Sequence, residues 1–202
     1  MVPKIWSMKS TSTFAIVIFM LSSFFANSQS RNVSSISLET NTTPLLFGGY
    51  ALGINIKPKK FKRLGVLVGA AGNADFPGWV TDVFKPQNSD KNIDWEVRRA
   101  YVFAIDYYLK PNETEGLYLS WFNFIFQNSI NRNELNEEFT SHTLLARMGY
   151  RKYLDGKNRF YINPWYGLGT EYKISGDNIV DNTTWETSDF AYFASLNVGF
   201  TF

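Results

Sequence analysis

The sequence contains one histidine, His142, so a hydrolase site of the Ser-His-Asp type would have to use it. In an extended strand, residues two apart lie on one face and adjacent residues lie on opposite faces. Thr140 and Leu144 therefore share a face with His142, whereas Ser141 and Thr143 project to the other side. Since no serine joins the histidine on its face, we expect His142 to be a polar residue near a rim and the protein to have no catalytic site.

Metal and thiol chemistry is also poorly supported. The chain has no cysteine, which excludes a cysteine nucleophile, a disulfide framework and a zinc site made of thiolates. Acidic residues are frequent in the segments between the apolar stretches, but their spacing does not match that of the twelve-residue calcium-binding loop. We therefore expect neither a metal ion nor another cofactor.

Six charged residues occupy alternate positions within segments that are otherwise rich in apolar and small residues. They could line a conduction path, since rings of charge select ions in pores. They could instead pair with one another, because a buried ion is costly unless it is paired. An interior enclosed by eight strands is just wide enough for its own side chains, which favours a plug over a pore. The residues of this expected polar network are Glu39, Arg98, Asp106, Arg147, Arg151 and Glu171.

The segments that carry these charges alternate between apolar residues and small or polar ones, a pattern typical of β-strands. The last segment is the most regular, and its expected outer face carries Phe190, Tyr192, Ala194, Leu196, Val198, Phe200 and Phe202. The other segments span residues 33–40, 46–56, 64–71, 95–109, 115–128, 139–153 and 160–173. Most are about 10–15 residues long, which suits tilted membrane-spanning strands better than ordinary globular ones.

The connections between these eight segments are alternately short and long, as in a barrel whose ends both lie on one side of a membrane. We expect short turns at residues 58–61, 111–115 and 155–158. We expect long loops at residues 73–94, 129–138 and 175–187, and a brief first connection near residues 41–44.

The alternation in segment 95–109 places Trp95 and Val97 on the outer face, opposite Arg98. Segments 139–153 and 115–128 alternate less regularly, and in the first of them Leu145 falls on the polar side. In segment 115–128 both faces carry aromatic residues. Asn123, if it points inward, favours Phe122, Phe124 and Phe126 on the outer face.

Residues 1–28 have the composition of a secretory signal peptide. Lys4 and Lys9 precede an apolar run over residues 14–21, and the small residues Ala26 and Ser28 precede the expected cleavage point. The run is shorter than the roughly 20 residues of a spanning helix. We therefore expect residues 29–202 to form one exported barrel domain.

The net charge of +2 does not indicate nucleic-acid binding. Of the 20 Lys and Arg residues, Lys4 and Lys9 lie in the expected signal peptide, which leaves 18 basic against 18 acidic residues. The remaining basic residues are scattered along the strands and turns, whereas a nucleic-acid site needs a clustered patch.

The last strand and the layout of the whole chain resemble small bacterial outer-membrane β-barrels of the eight-stranded OmpA/OmpX type. In that family the last strand ends in an aromatic residue that the outer-membrane insertion machinery recognises. The residues that match this signal are Tyr192, Leu196, Val198, Phe200 and Phe202. The resemblance implies an all-β, antiparallel eight-stranded up-and-down transmembrane β-barrel in the outer membrane of a Gram-negative cell. It also implies outer-membrane lipids, lipopolysaccharide and the insertion machinery as partners.

Three alternatives to a structural or surface-interaction role stay open: a narrow porin-like channel, a lipid-A-modifying enzyme and a soluble lipocalin-like carrier. In the deacylase family of lipid-A enzymes, histidine and serine sit two apart on one strand face, and His142 lacks that partner. A carrier would turn its polar face to water. The polar face of this chain is instead rich in glycine and alanine, which suit a crowded interior.

Overall fold

The structure, a computed structural model, describes residues 33–110 and 115–202 and shows a closed antiparallel β-barrel. The wall contains eight long strands, each paired with its neighbours in the chain, and the last strand closes on the first. The wall strands are β1 (Val33–Asn41), β2 (Tyr50–Pro58), β3 (Leu64–Phe76), β4 (Asp94–Tyr108), β5 (Gly116–Arg132), β6 (Leu135–Tyr153), β7 (Phe160–Gly176) and β10 (Ala191–Thr201). The prediction of an eight-stranded antiparallel up-and-down barrel is therefore confirmed. The expected signal peptide, residues 1–28, lies outside the described residues.

The two ends of the barrel differ in their connections. We call the end where β2 meets β3, β4 meets β5 and β6 meets β7 the turn end, and the opposite end the loop end. Most of the turn expected at residues 111–115 lies outside the described residues. The loop end carries two short helices, α1 (Thr42–Leu46) and α2 (Gly78–Phe84), a 3-10 turn (Pro86–Asn88) and a small hairpin of β8 (Ile179–Val180) and β9 (Thr183–Thr184). Within residues 33–110 and 115–202, no helix is both long and apolar enough to cross a membrane.

The connection between β5 and β6 is a tight hairpin rather than the long loop expected over residues 129–138. Pairing continues to Arg132 opposite Leu135, and only Asn133 and Glu134 lie between the strands. Both have positive φ, 47° and 68°, which is the conformation of the type I′ turns that match strand twist. The prediction of a loop was wrong because β5 and β6 stay hydrogen-bonded to each other through polar residues. These residues lack the apolar alternation from which strands were predicted.

A β-bulge in β4 reverses the expected facing of its first residues. The register between β4 and β5 shifts between Val97 and Arg99. A bulge inserts one extra residue, so the side chains before it change faces relative to those after it. Trp95 and Val97 are consequently buried inside the barrel, whereas Arg98 is exposed. The prediction that Arg98 faces the lumen was therefore wrong.

The three phenylalanines of β5 point into the barrel, contrary to the facing expected from the sequence. Phe122, Phe124 and Phe126 are buried, and the intervening Asn123 lies on the outer side, where its Nδ2 donates to the carbonyl of Phe103 at 3.5 Å. The rings fit inside because other strands contribute small inward residues that leave the space open. These small residues include Gly53, Gly69, Ala71 and Ala100.

Two inward glycines make room for aromatic rings that cross from the neighbouring strand. Gly149 is paired with Tyr118 on β5, and Gly199 is paired with Tyr161 on β7. A Cβ atom at either glycine would overlap the ring atoms of its tyrosine. Both tyrosines are almost fully buried, so neither ring is free to move aside.

Replacing Gly149 with alanine is expected to lower the free energy of unfolding by about 1–3 kcal/mol, because the ring of Tyr118 must leave its packed position. Gly156→Ala is the matched control, since a Cβ at Gly156 meets nothing within 4 Å. Urea titrations of the detergent-folded barrel, followed by gel mobility, measure both changes. Equal effects of the two substitutions would contradict the packing explanation.

Candidate functional site

The interior of the barrel holds the charged and polar side chains, and those nearest the turn end surround Glu39. Its carboxylate accepts hydrogen bonds from Tyr161 Oη and Asn197 Nδ2, each at 2.9 Å. Arg151 Nη2 lies 3.5 Å from the same carboxylate, and its guanidinium lies 4.2 Å from the centre of the Tyr161 ring. We call these four residues the Glu39 cluster. The charges of Glu39 and Arg151 cancel, and the pair is held by two uncharged hydrogen-bond donors and by the face of an aromatic ring.

A second cluster lies on strands β2, β4 and β6. Arg147 Nη2 donates to Asp106 Oδ1 at 2.7 Å, and Asn55 Nδ2 donates to Asp106 Oδ2 at 2.9 Å. The guanidinium of Arg147 lies 4.1 Å from the centre of the Phe122 ring, and its Nε and Nη1 atoms have no hydrogen-bond partner. The aromatic face therefore supplies the attraction that these donors do not obtain from hydrogen bonds. We call Asp106, Arg147 and Asn55 the Asp106 cluster.

The third cluster, at the loop end, includes a residue from outside the wall. Lys85, which follows α2, forms a buried ion pair with Glu171 of β7. Ser141 Oγ donates to the other carboxylate oxygen at 2.9 Å and accepts from Asn128 Nδ2 at 3.0 Å. We call Lys85, Glu171, Ser141 and Asn128 the Glu171 cluster. The connection between β3 and β4 is thus tied into the mouth of the barrel by a charged side chain.

Trp185 and the 3-10 turn add to this covering of the mouth. Trp185 is 1% exposed and packs against Trp95, with the ring centres 5.7 Å apart. The side chain of Asn88 donates to the carbonyl of Glu186 at 2.9 Å and accepts from its backbone N–H at 2.8 Å. Lys91 adds an ion pair with Glu186 at 2.8 Å. The connections at 77–93 and 177–190 therefore close the loop end together.

The interior between the Asp106 and Glu171 clusters is apolar. Inward side chains of β3, β4, β5 and β10 meet there, among them Leu67, Val102, Phe124, Phe126 and Phe193. A cavity of about 120 Å³ lies among them and against α1 and α2. The polar interior expected from the sequence is therefore interrupted by a hydrophobic core in the loop-side half.

The residues of the expected polar network are distributed over the three clusters. Glu39 and Arg151 lie in the first cluster, Asp106 and Arg147 in the second, and Glu171 in the third. Arg98 lies in none of them, because the bulge in β4 turns it outward, where it pairs with Glu138 at 2.6 Å.

Two buried lysines were missed by the sequence analysis. Lys57 continues the inward alternation of Gly53 and Asn55 on β2, and its ammonium lies 4.7 Å from the centre of the Tyr108 ring. The alternation along β2 therefore predicts that Lys57 faces inward. Lys85 lies in a connection without periodicity, so no local pattern indicates that it enters the lumen.

His142 lies on the outer face of β6, near the loop end. Its Nδ1 contacts Tyr172 Oη, and its Nε2 lies 3.2 Å from Asn123 Oδ1. Neither contact is with a hydroxyl nucleophile of the serine or threonine type. Among residues 33–110 and 115–202, no group of three or more His, Asp or Glu side chains is arranged to hold a metal ion.

The residues expected to form an insertion signal lie on the outer face of β10. Phe200 packs edge-to-face with Phe160 of β7 and with Phe202, with ring centres 4.9 Å and 5.1 Å apart. Leu196, Val198 and Phe202 are exposed, and Tyr192 is half-buried. These side chains form a continuous apolar strip at the strand that closes the barrel.

The sequence matches no family model and no curated protein. Among solved structures, the N-terminal β-barrel domain of OprF from Pseudomonas aeruginosa matches 85% of this chain and 100% of its own, with a TM-score of 0.52 and 12% identity. Neisserial surface protein A matches 83% of this chain and 92% of its own, with a TM-score of 0.44 and 12% identity. The likeness to the OprF domain is one of fold.

Removing the carboxylate charge of Asp106 is expected to destabilise the barrel strongly. Asp106→Asn leaves Arg147 buried without its counter-charge, which costs about 3–5 kcal/mol. Neutralising the exposed pair by Glu138→Gln is expected to cost less than about 1 kcal/mol. Urea unfolding of both variants in the same detergent measures the difference. The double variant Asp106→Leu/Arg147→Met removes both charges. If it lowers the free energy of unfolding as much as Asp106→Asn does, the loss does not come from an unpaired charge.

Proposed function

We propose that this protein is an integral outer-membrane β-barrel with a structural or surface-interaction role, and that its lumen is closed by its own side chains. Outer-membrane lipids and lipopolysaccharide surround it, and the outer strip of β10 is its signal to the insertion machinery. It is proposed to act without a catalytic site or a cofactor.

The observation that carries this proposal is the inverted distribution of polarity across the wall. In the described part of the chain, seven charged side chains lie buried inside the barrel, namely Glu39, Lys57, Lys85, Asp106, Arg147, Arg151 and Glu171. Large apolar side chains are exposed on the outside of the wall, among them Tyr101, Phe103, Ile105, Leu119, Trp121, Ile125, Met148, Tyr166, Leu168 and Leu196. Water as the outer solvent would favour the opposite arrangement, whereas acyl chains favour this one.

Backbone hydrogen bonding supports the same placement. Every wall strand pairs on both sides, and β1 pairs with β10 over Ser37–Asn41 and Asn197–Thr201. A closed barrel satisfies its strand N–H and C=O groups internally, which hydrocarbon requires because it offers no hydrogen-bonding partner. A soluble carrier of the same strand number would need a polar outer face, and the exposed residues of β4 to β7 do not provide one.

Ion pairs spread along the interior support a closed lumen over a channel. The Glu39, Asp106 and Glu171 clusters lie at three places in the interior, and each combines an acid with a base. An ion passing through would have to separate at least the Lys85–Glu171 pair and the covering around Trp185. Such separation leaves buried charges unpaired, which is costly.

In a bacterial host, the protein is expected in the outer-membrane fraction, with a gel mobility that changes on heating, because the closed barrel resists detergent until it is boiled. Sucrose-gradient fractionation followed by unheated and heated gels tests this. Recovery from the soluble periplasm with no mobility change would refute the membrane proposal. A periplasmic soluble protein and a known barrel in the same cells serve as fractionation controls.

In planar lipid bilayers, the purified barrel is expected to give no single-channel conductance, because its paired side chains fill the passage. Wild-type protein and Arg147→Gln are compared at equal protein load. Conductance in the wild type that disappears with Arg147→Gln would instead support the narrow channel.

A further inference from the structure

The seam between β1 and β10 is short, and it leaves part of the wall without a strand. β10 pairs with β7 along residues 191–200 but with β1 only along residues 197–201. On the other side, pairing of β1 with β2 ends where Glu39 meets Gly53, although β2 continues to Tyr50 beside β3. Over residues 191–196, β10 therefore has no strand neighbour on its β1 side within the described chain.

The short helix α1 stands in this gap and is held by hydroxyl groups. Thr42 Oγ1 donates to the carbonyl of Leu196 at 2.8 Å, and Thr43 Oγ1 lies 2.7 Å from Ser195 Oγ. The Ser195 hydroxyl also donates to Asn41 Oδ1 at 2.6 Å. A few side-chain hydrogen bonds thus replace the continuous ladder that joins the other strands, so this is the weakest section of the wall.

The apolar cavity lies directly behind α1. Its lining combines inward residues of the core, such as Ala71 and Phe193, with residues of the outer side, Leu52, Ala70 and Ala194. These outer-side residues flank the stretch where no strand lies between β10 and β2. The cavity therefore lies against this gap in the wall, beside α1.

The lining specifies an apolar occupant. Its lining includes Phe124, Phe126 and Leu67, and among the described residues Glu39 is the one charged residue that borders it. The carboxylate of Glu39 is already engaged by Tyr161, Asn197 and Arg151. A dry apolar cavity of about 150 Å³ binds molecules of the size of benzene, so a space of 120 Å³ is suited to a slender hydrocarbon segment.

We propose that this cavity is a binding site for the end of a single acyl chain of a membrane lipid, which enters sideways between β10 and β2 past α1. The inference rests on the proposed membrane location, since that location places acyl chains against the outer side of this gap. The end of the acyl chain exchanges contacts with neighbouring acyl chains for contacts with aromatic rings of the protein. The headgroup stays outside the wall.

Photo-crosslinking in lipid nanodiscs tests the proposal. Wild-type protein is reconstituted in nanodiscs of dimyristoylphosphatidylcholine with a small fraction of a phospholipid that carries a diazirine near the end of one acyl chain. After irradiation, peptide mass spectrometry locates the labelled residues. We expect label on inward residues of the cavity, such as Val102 and Phe124, in addition to the outward Met148 on the opposite side of the barrel.

Ala71→Phe fills the cavity from β3, and the label on inward residues is expected to fall about tenfold while the label on Met148 stays unchanged. Ala146→Phe is the matched control, because Ala146 is exposed on the outer face away from the seam. Folding of both variants is checked by heat-modifiable mobility. If Ala71→Phe does not fold, Val102→Phe replaces it, with the label on Phe124 as the inward measurement.

The wild-type map separates the two proposals. Label on Met148 with only background on the inward residues would overturn the acyl-chain site while leaving the membrane location intact. Absence of label on both faces would overturn the membrane location itself. Inward label that persists in the filled variants would also overturn the site, because it would show that the label does not come from the cavity.

Discussion

The pairing of β1 with β10 is the contact on which the rest of the structure depends. It joins the two ends of the sheet over the five residues Ser37–Asn41. Without it, both end strands would present unpaired N–H and C=O groups, which a hydrocarbon environment does not tolerate. Closure at eight strands also fixes the width of the interior, and side chains fill most of that width. The charges inside must therefore find partners among themselves.

The need to pair the interior charges explains why aromatic residues lie next to charged residues inside the barrel. Arg147 and Arg151 each face one carboxylate and at least one aromatic ring within 4.2 Å. A ring face attracts a guanidinium without competing for the carboxylate and keeps the packing dense. Gly149 and Gly199 are needed in turn, since the rings of Tyr118 and Tyr161 can lie over the neighbouring strand only where the paired residue has no Cβ. Charge pairing, ring placement and glycine positions are thus one linked arrangement.

The sequence predicts the barrel well because strand facing repeats locally, every second residue, over long segments. The sequence pattern fails where a single inserted residue, or a residue distant in the chain, decides which side of the wall a side chain faces. The bulge after Val97 leaves the alternation on each side intact, so no local pattern marks it, and Trp95 and Arg98 were placed on the wrong sides. Phe122 and Trp121 are equally apolar, and the choice between them depends on the small residues of β2, β3 and β4 across the lumen. Lys85 reaches Glu171 from a connection with no period at all.

The apolar cavity follows from the short first strand. A β1 that continued past Asn41 would place further side chains into the loop-side half of the lumen, but the chain turns there into α1. The adjoining strands β2 and β3 do not fill this space, because Gly53, Gly69 and Ala71 are small. The rings of Phe124 and Phe193 come from other strands. Filling the space with polar side chains would require partners that the neighbouring clusters already use. The short seam therefore creates both the apolar volume and the gap in the wall beside it.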